Sequence, residues 1–148
     1  MASVTAKDLY DQDFFEWTRC NAALLRAGRF DQADVVHIAE EIEDMGKREG
    51  RELESRMSVL LMHLLKWQIQ RERRGRSWRA TIDVQRTEVR DLLSQMPSLK
   101  GRLAMGLRGT YVLAVKRVIA ETDLPDEVFA AECPFSVDQI LDENFYPE

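Results

Sequence analysis

Two stretches of this sequence carry side chains of the kind and spacing that chemistry needs. His37, Glu40, Glu41 and Asp44 lie three or four residues apart, which on a helix sets them along one flank. Imidazole and carboxylate groups together can hold a metal ion. Di-iron helical bundles build such centres from Glu-x-x-His pairs on two helices and a lone Glu from each of two others. Here the order is reversed, HxxE. No second His-carboxylate pair exists, because His63 has Leu60 three residues before it and Lys66 three after. The zinc-protease pattern HExxH is missing as well. The spacing therefore predicts a solvated or arginine-paired acidic face and no cofactor, with a metal or small-molecule site near Glu41 and His63 as an alternative.

The second stretch runs from Leu60 to Arg86, where an apolar helical segment containing His63 gives way to RERRGRSWR. For acid-base work His63 needs an orienting carboxylate. Glu41 or Asp44 can supply one only if the chain folds back between them and His63. Without it His63 reads as a hydrogen-bonded core residue. Arg71, Arg73, Arg74, Arg76 and Arg79 surround Trp78, the composition of a phosphate-contacting patch with a stacking aromatic. Against nucleic acid stand the net charge of −5 and the lack of a helix-turn-helix or RNA-binding signature. No serine or cysteine sits in a nucleophile elbow, and no glycine-rich phosphate loop follows a strand. Enzymatic activity is not expected.

The elements that must position these groups read as helices throughout, with no alternating strand pattern. A first helix runs from Asp8 or Asp11, either of which can cap it, to Gly28 as the residue that ends it. Asp31 is expected to cap a second, whose stripe Val35, Ile38, Ile42 and Met45 predicts a core-facing surface. A third, from Arg51 to Gln70, is apolar around most of its circumference and should be the central helix. Joined without interruption the two would span about 60 Å, long for a single compact body, so a kink or break is expected near Gly46 to Gly50, with one unbroken elongated helix as the alternative. Ser77 is the expected cap of a fourth helix with the seam Trp78, Ile82, Gln85, Val89, Leu92 and Met96. After Pro97, Ser98 is the expected cap of a fifth, reaching toward Leu124. Phe129, Phe135, Ile140, Leu141, Phe145 and Tyr146 predict a tail of short helical turns packed on the bundle. The expectation is an all-α, single-domain bundle of about five main helices over residues 1–148.

With 148 residues and 45% hydrophobic content, such a bundle can bury a core without staples. Cys20 and Cys133 are isolated and read as reduced thiols. No segment is long and apolar enough to span a membrane, and the acidic N-terminal stretch is unlike a signal peptide, so a cytoplasmic protein is expected. Charge is segregated: residues 31–54 are acidic, 66–90 and 100–117 basic, and from Glu121 onward there is no Lys or Arg. Such elements can neutralise one another or face a partner.

Several pieces taken in order resemble the bacterial domain-of-unknown-function family twenty-nine, small helical proteins frequent in cyanobacteria and found in proteobacteria. They are Tyr10, Asp13, Phe14 and Trp17, then LLRAGRF, EEIEDMG, REL.SR, HLLKWQ, SW..TI..QR, PSL and ET.LP. The resemblance covers residues 10–147 and implies an all-helical domain, without an activity or a ligand. Among these pieces Glu41, Arg56, His63, Lys66, Gln68, Gln85 and Arg86 are polar groups on or beside apolar stripes, where burial is unfavourable without partners. They are expected to form an interhelical network in which Arg86 or Arg56 faces Glu41. The leading functional reading is a non-enzymatic helical interaction module that contacts another protein or itself as a homo-oligomer. Nucleic-acid binding through Arg71 to Arg79 is the alternative.

Overall fold

The computed structural model describes residues 3–148; Met1 and Ala2, the start of the acidic N-terminal stretch, lie outside the described residues. The fold is all-α. Its helices are α1 (Leu9–Gln12), α2 (Phe14–Arg26), α3 (Val35–Ile69), α4 (Arg76–Gln95), α5 (Lys100–Thr122) and α6 (Val137–Leu141), with short 3₁₀ turns at Arg71–Arg73, Pro97–Leu99 and Asp126–Val128. Among the described residues there is no strand, and no helix is long and apolar enough to cross a membrane. The chain forms two compact units, residues 1–48 and 49–148.

In the first unit Asp13 interrupts the expected first helix. Its side chain accepts from the Glu16 amide and caps α2, the N-cap role that short polar residues fill well. Asp8 instead accepts from the amide and hydroxyl of Thr5. Gly28 ends α2 as expected: its φ is +72°, and the amides of Gly28 and Arg29 return to the carbonyls of Leu25 and Leu24. This is the paired closure that a left-handed glycine permits. Asp34, rather than Asp31, caps α3, accepting from the His37 amide at 3.5 Å. The stripe predicted to face a core does not: Val35, Ile42 and Met45 are exposed and Ile38 is only half-buried.

The expected break at Gly46 to Gly50 is absent, and α3 runs through both glycines as one helix of 35 residues. The two central helices read from the sequence are therefore one, leaving four long helices. Each glycine weakens a helix by only about 1 kcal/mol, and the surrounding Met, Lys, Arg, Glu and Leu residues favour it. Gly50 also admits a close neighbour, because a Cβ there would lie 2.8 Å from the Arg102 guanidinium carbon. A break is needed only where a single compact body must form, whereas α3 contributes to two units.

The second unit has the larger apolar core. Leu53, Met57, Leu60, Leu61, Leu64 and Leu65 of α3 pack with Ile82 and Val89 of α4, with Leu103, Ala114 and Val118 of α5, and with Phe135 and Ile140 of the tail. The tail is thus core, as its aromatic spacing predicts. Neither Ser77 nor Ser98 caps a helix: α4 starts after Gly75 and α5 after Leu99, each without a side-chain cap. Ser136 does cap α6, in a reciprocal box with Gln139.

The continuity of α3 and the closure at Gly28 give the same substitution opposite signs. Gly46→Ala is expected to raise stability by about 0.5–1 kcal/mol, and Gly28→Ala to lower it by about 1 kcal/mol, in urea titrations followed by circular dichroism. A loss for Gly46→Ala would contradict the unbroken helix.

Candidate functional site

The first unit is closed by a buried polar cluster. Trp17 Nε1 donates to Asp34 Oδ2 at 2.9 Å, Asn21 Oδ1 accepts from the Asp34 amide at 2.8 Å, and Asn21 Nδ2 donates to the Trp17 carbonyl. His37 Nδ1 meets Asp34 Oδ2 at 2.6 Å. Tyr10 stacks on His37 with ring centres 3.8 Å apart and donates its hydroxyl to Glu41 Oε1 at 2.7 Å. Burial alone would raise the Asp34 carboxyl, but the hydrogen bonds from Trp17 and His37 outweigh it and hold it below the usual carboxylate range. The bond to Asp34 raises His37, and the bond to Glu41 pushes the Tyr10 hydroxyl up to about 12.

Glu41 therefore faces Tyr10 and neither Arg56 nor Arg86, so the expected network does not form as one body. Its members divide among local partners. Arg56 Nε bonds Glu52 Oε1 at 3.1 Å with Glu88 at 3.8 Å, and Lys66 Nζ, 7% exposed, pairs with Glu121 Oε2 at 2.9 Å. Gln85 points inward with its Oε1 unpartnered. Glu40 and Asp44 are exposed. His63 belongs to the second unit, and among the described residues it pairs with no carboxylate. Instead its Nδ1 meets the Val59 carbonyl at 2.9 Å, and desolvation lowers its pKa. Among the described residues no group of three His, Cys, Asp or Glu side chains is placed to hold a metal ion.

The second cluster joins α4 to the tail. Arg86 is 1% exposed, and it donates from Nε to the Ile140 carbonyl at 2.8 Å and from Nη2 to the Phe145 carbonyl at 2.6 Å. Arg90 donates to the Leu141 carbonyl and lies 3.4 Å from Glu143. The carbonyls of Ile140 and Leu141 belong to the last turn of α6, where no helical amide reaches them, and a cation at that end suits the helix dipole. Arg74 holds the Trp67 and Pro147 carbonyls. Arg79 and Arg86 both lie over the Tyr146 ring, whose hydroxyl donates to Asp83. Of the basic patch, Arg71, Arg73 and Arg76 remain exposed, while Trp78 is half-buried with Lys66 Nζ 5.0 Å from its ring centre.

Asp34 and the tail carbonyls carry both clusters, and sequence reasoning assigned neither a role. Asp34 left a signal, an Asp directly before a helix and three residues before a His. Backbone carbonyls leave none.

The fold and these clusters define an all-α protein with two hydrogen-bonded polar clusters, one around Asp34 and one around Arg86. The model of the family described as Domain of unknown function DUF29 matches residues 9–146, and the chain belongs to that family. Comparison with curated proteins and with solved structures finds no match.

The two histidines should titrate on opposite sides of their ordinary value of 6.5 in an NMR pH series, His37 above and His63 below. The contribution of His37 to stability is complete below pH 6.5 and lost as pH rises through its raised folded value. That of His63 is complete above pH 6.5 and lost as pH falls through its lowered one. Arg86→Lys, which keeps the charge but not the planar fork, should destabilise by about 2–3 kcal/mol in urea titrations.

Proposed function

We propose that this protein is a non-enzymatic helical interaction module that docks a second copy of itself through the apolar face of its first unit. One observation carries the reading. Of the fourteen large hydrophobic residues exposed among the described residues, nine lie in residues 1–48, which is under a third of the chain. Exposed apolar residues scattered singly are ordinary, whereas a concentrated patch marks an interaction surface. Phe15, Phe30, Val36, Ile42 and Met45 are each at least 60% exposed.

The second copy is favoured by the spacing of the stripe on α3. Val35, Ile38, Ile42 and Met45 follow the three-four-three pattern of a coiled-coil seam. The stripe is self-complementary when two copies run antiparallel: Val35 meets the other copy's Met45, and Ile38 meets its Ile42, giving four apolar layers with no polar residue between them. An isologous contact of this kind closes at two chains.

Sedimentation velocity over a concentration series tests the reading. A monomer–dimer equilibrium is expected, and Ile42→Asp should weaken the dimer about thirtyfold without unfolding the chain, since Ile42 is 63% exposed. A monomer at every concentration overturns self-association. Nucleic-acid binding is kept as a second reading by Arg71, Arg73 and Arg76, which are exposed and form no ion pair among the described residues. Its signature is retardation of DNA or RNA that fades steeply with salt and is lost on reversing the charge of Arg73 and Arg76.

A further inference from the structure

We infer that the cavity between α4 and the tail is a binding site for a phosphate group, free or at the end of a small monoester. The cavity is about 280 Å³ and is walled by Arg79, Arg86 and Arg90 on one face of α4, with Asn144 and Tyr146 opposite. The inference stands apart from self-association, since it uses a different unit of the chain and different residues.

The charge balance comes first. Arg86 is a buried guanidinium that forms no ion pair among the described residues, and the groups that satisfy its Nε and Nη2 are neutral carbonyls. Hydrogen bonds to carbonyls meet the donors but leave the positive charge in place. Among the described residues its third nitrogen, Nη1, has no hydrogen-bond partner, which is unusual for a buried donor. Arg79 forms no ion pair among the described residues and lies over the Tyr146 ring. Asp83 and Glu143 share the lining, yet Asp83 is engaged by the Tyr146 hydroxyl and Glu143 by Arg90. Three guanidinium groups against two carboxylates leave the wall with an excess positive charge.

The choice of anion follows from geometry and size. Arg79, Arg86 and Arg90 sit at spacings of seven and four on one helix, two turns and one turn apart, and so line one face of it toward one space. A phosphate offers three terminal oxygens and up to two negative charges to such a set, while a carboxylate offers two oxygens and one charge. Arginine forks match phosphate oxygens well. The volume is just under the range of about 300–1,000 Å³ usual for drug-sized ligands, which suits an ion or a small ester. Arg86 lines the cavity while only 1% exposed, and a low local dielectric strengthens its attraction for the anion.

Calorimetric titration of the full chain at low ionic strength with inorganic phosphate, phenyl phosphate and acetate tests this. One equivalent of phosphate should bind and acetate should bind at least tenfold more weakly. Tighter binding of phenyl phosphate than of inorganic phosphate would assign the ester as the source, and the reverse order the free ion. Arg79→Gln, at an exposed position that contributes no hydrogen bond to the tail, should weaken phosphate about tenfold. Arg73→Gln, outside the cavity, should leave it unchanged. The Arg86 Nε–H resonance should shift on phosphate addition and not on acetate addition. Equal loss in Arg79→Gln and Arg73→Gln, or an Arg86 resonance indifferent to phosphate, means an adventitious ion only and overturns the site.

Discussion

Arg86 has been taken out of water without an anion to meet it, and the second unit is arranged around that fact. Moving a guanidinium into a protein interior is unfavourable by several kcal/mol unless its donors are satisfied. Here the satisfaction comes from the main chain of the tail, through the carbonyls of Ile140 and Phe145. To bring those carbonyls within reach, the tail must lie along α4, and this in turn seats Phe135 and Ile140 in the leucine core of α3. Arg74 and Arg90 repeat the same bond on either side. Arg74, Arg86 and Arg90 together clamp the tail through its carbonyls. The acidic character of the tail contributes little to that clamp, since one carboxylate, Glu143, pairs with it.

The first unit solves a similar problem with the opposite charge. Asp34 is 2% exposed and is held by Trp17 and His37, while Asn21 takes its amide. The buried residues of this unit are Trp17, Asn21, Asp34 and two alanines. Little apolar volume is enclosed, and its cohesion rests on hydrogen bonds and aromatic stacking. That is why the stripe of α3 stays outside. A patterned apolar face is normally drawn inward by the area it removes from water, about 25 cal/mol per Å², but only when another element can cover it. Helices α1 and α2 spend their contact with α3 on the flank of Asp34, His37 and Glu41, leaving Ile42 and Met45 uncovered.

Helical class, the C-terminal ends of most long helices and the role of the tail were legible in the sequence, because periodicity and punctuation report them locally; the N-caps were not. Gly28 and Pro97 acted as read. The errors share a cause. Periodicity identifies an apolar face without saying what covers it, so Val35 to Met45 was assigned to a core. Gly46 and Gly50 were read as a break on the assumption of one compact body, although each weakens a helix only slightly. Glu41 was paired with a distant arginine because charge was matched with charge. The structure matched Glu41 with a phenol, and Arg86 with carbonyls, partners whose identity depends on the path of the chain. The phosphate-sized cavity was invisible for the same reason, being walled by α4 on one side and residues 143–146 on the other.

The bonds from Arg86 to the tail also set an order of events. They join residues 54 and 59 positions apart, whereas the Trp17 to Asp34 bond closes a loop of 17 positions. During synthesis, which delivers the chain from its N-terminus, the first unit can close while α4 is still being made. The second unit must hold an unpartnered guanidinium, and an open strip of its leucine core, until residues 135–147 arrive. Its exposure to misassociation therefore lasts until those residues have emerged. Slowing the ribosome over the codons for residues 135–147 would lengthen the interval in which a chaperone has something to hold.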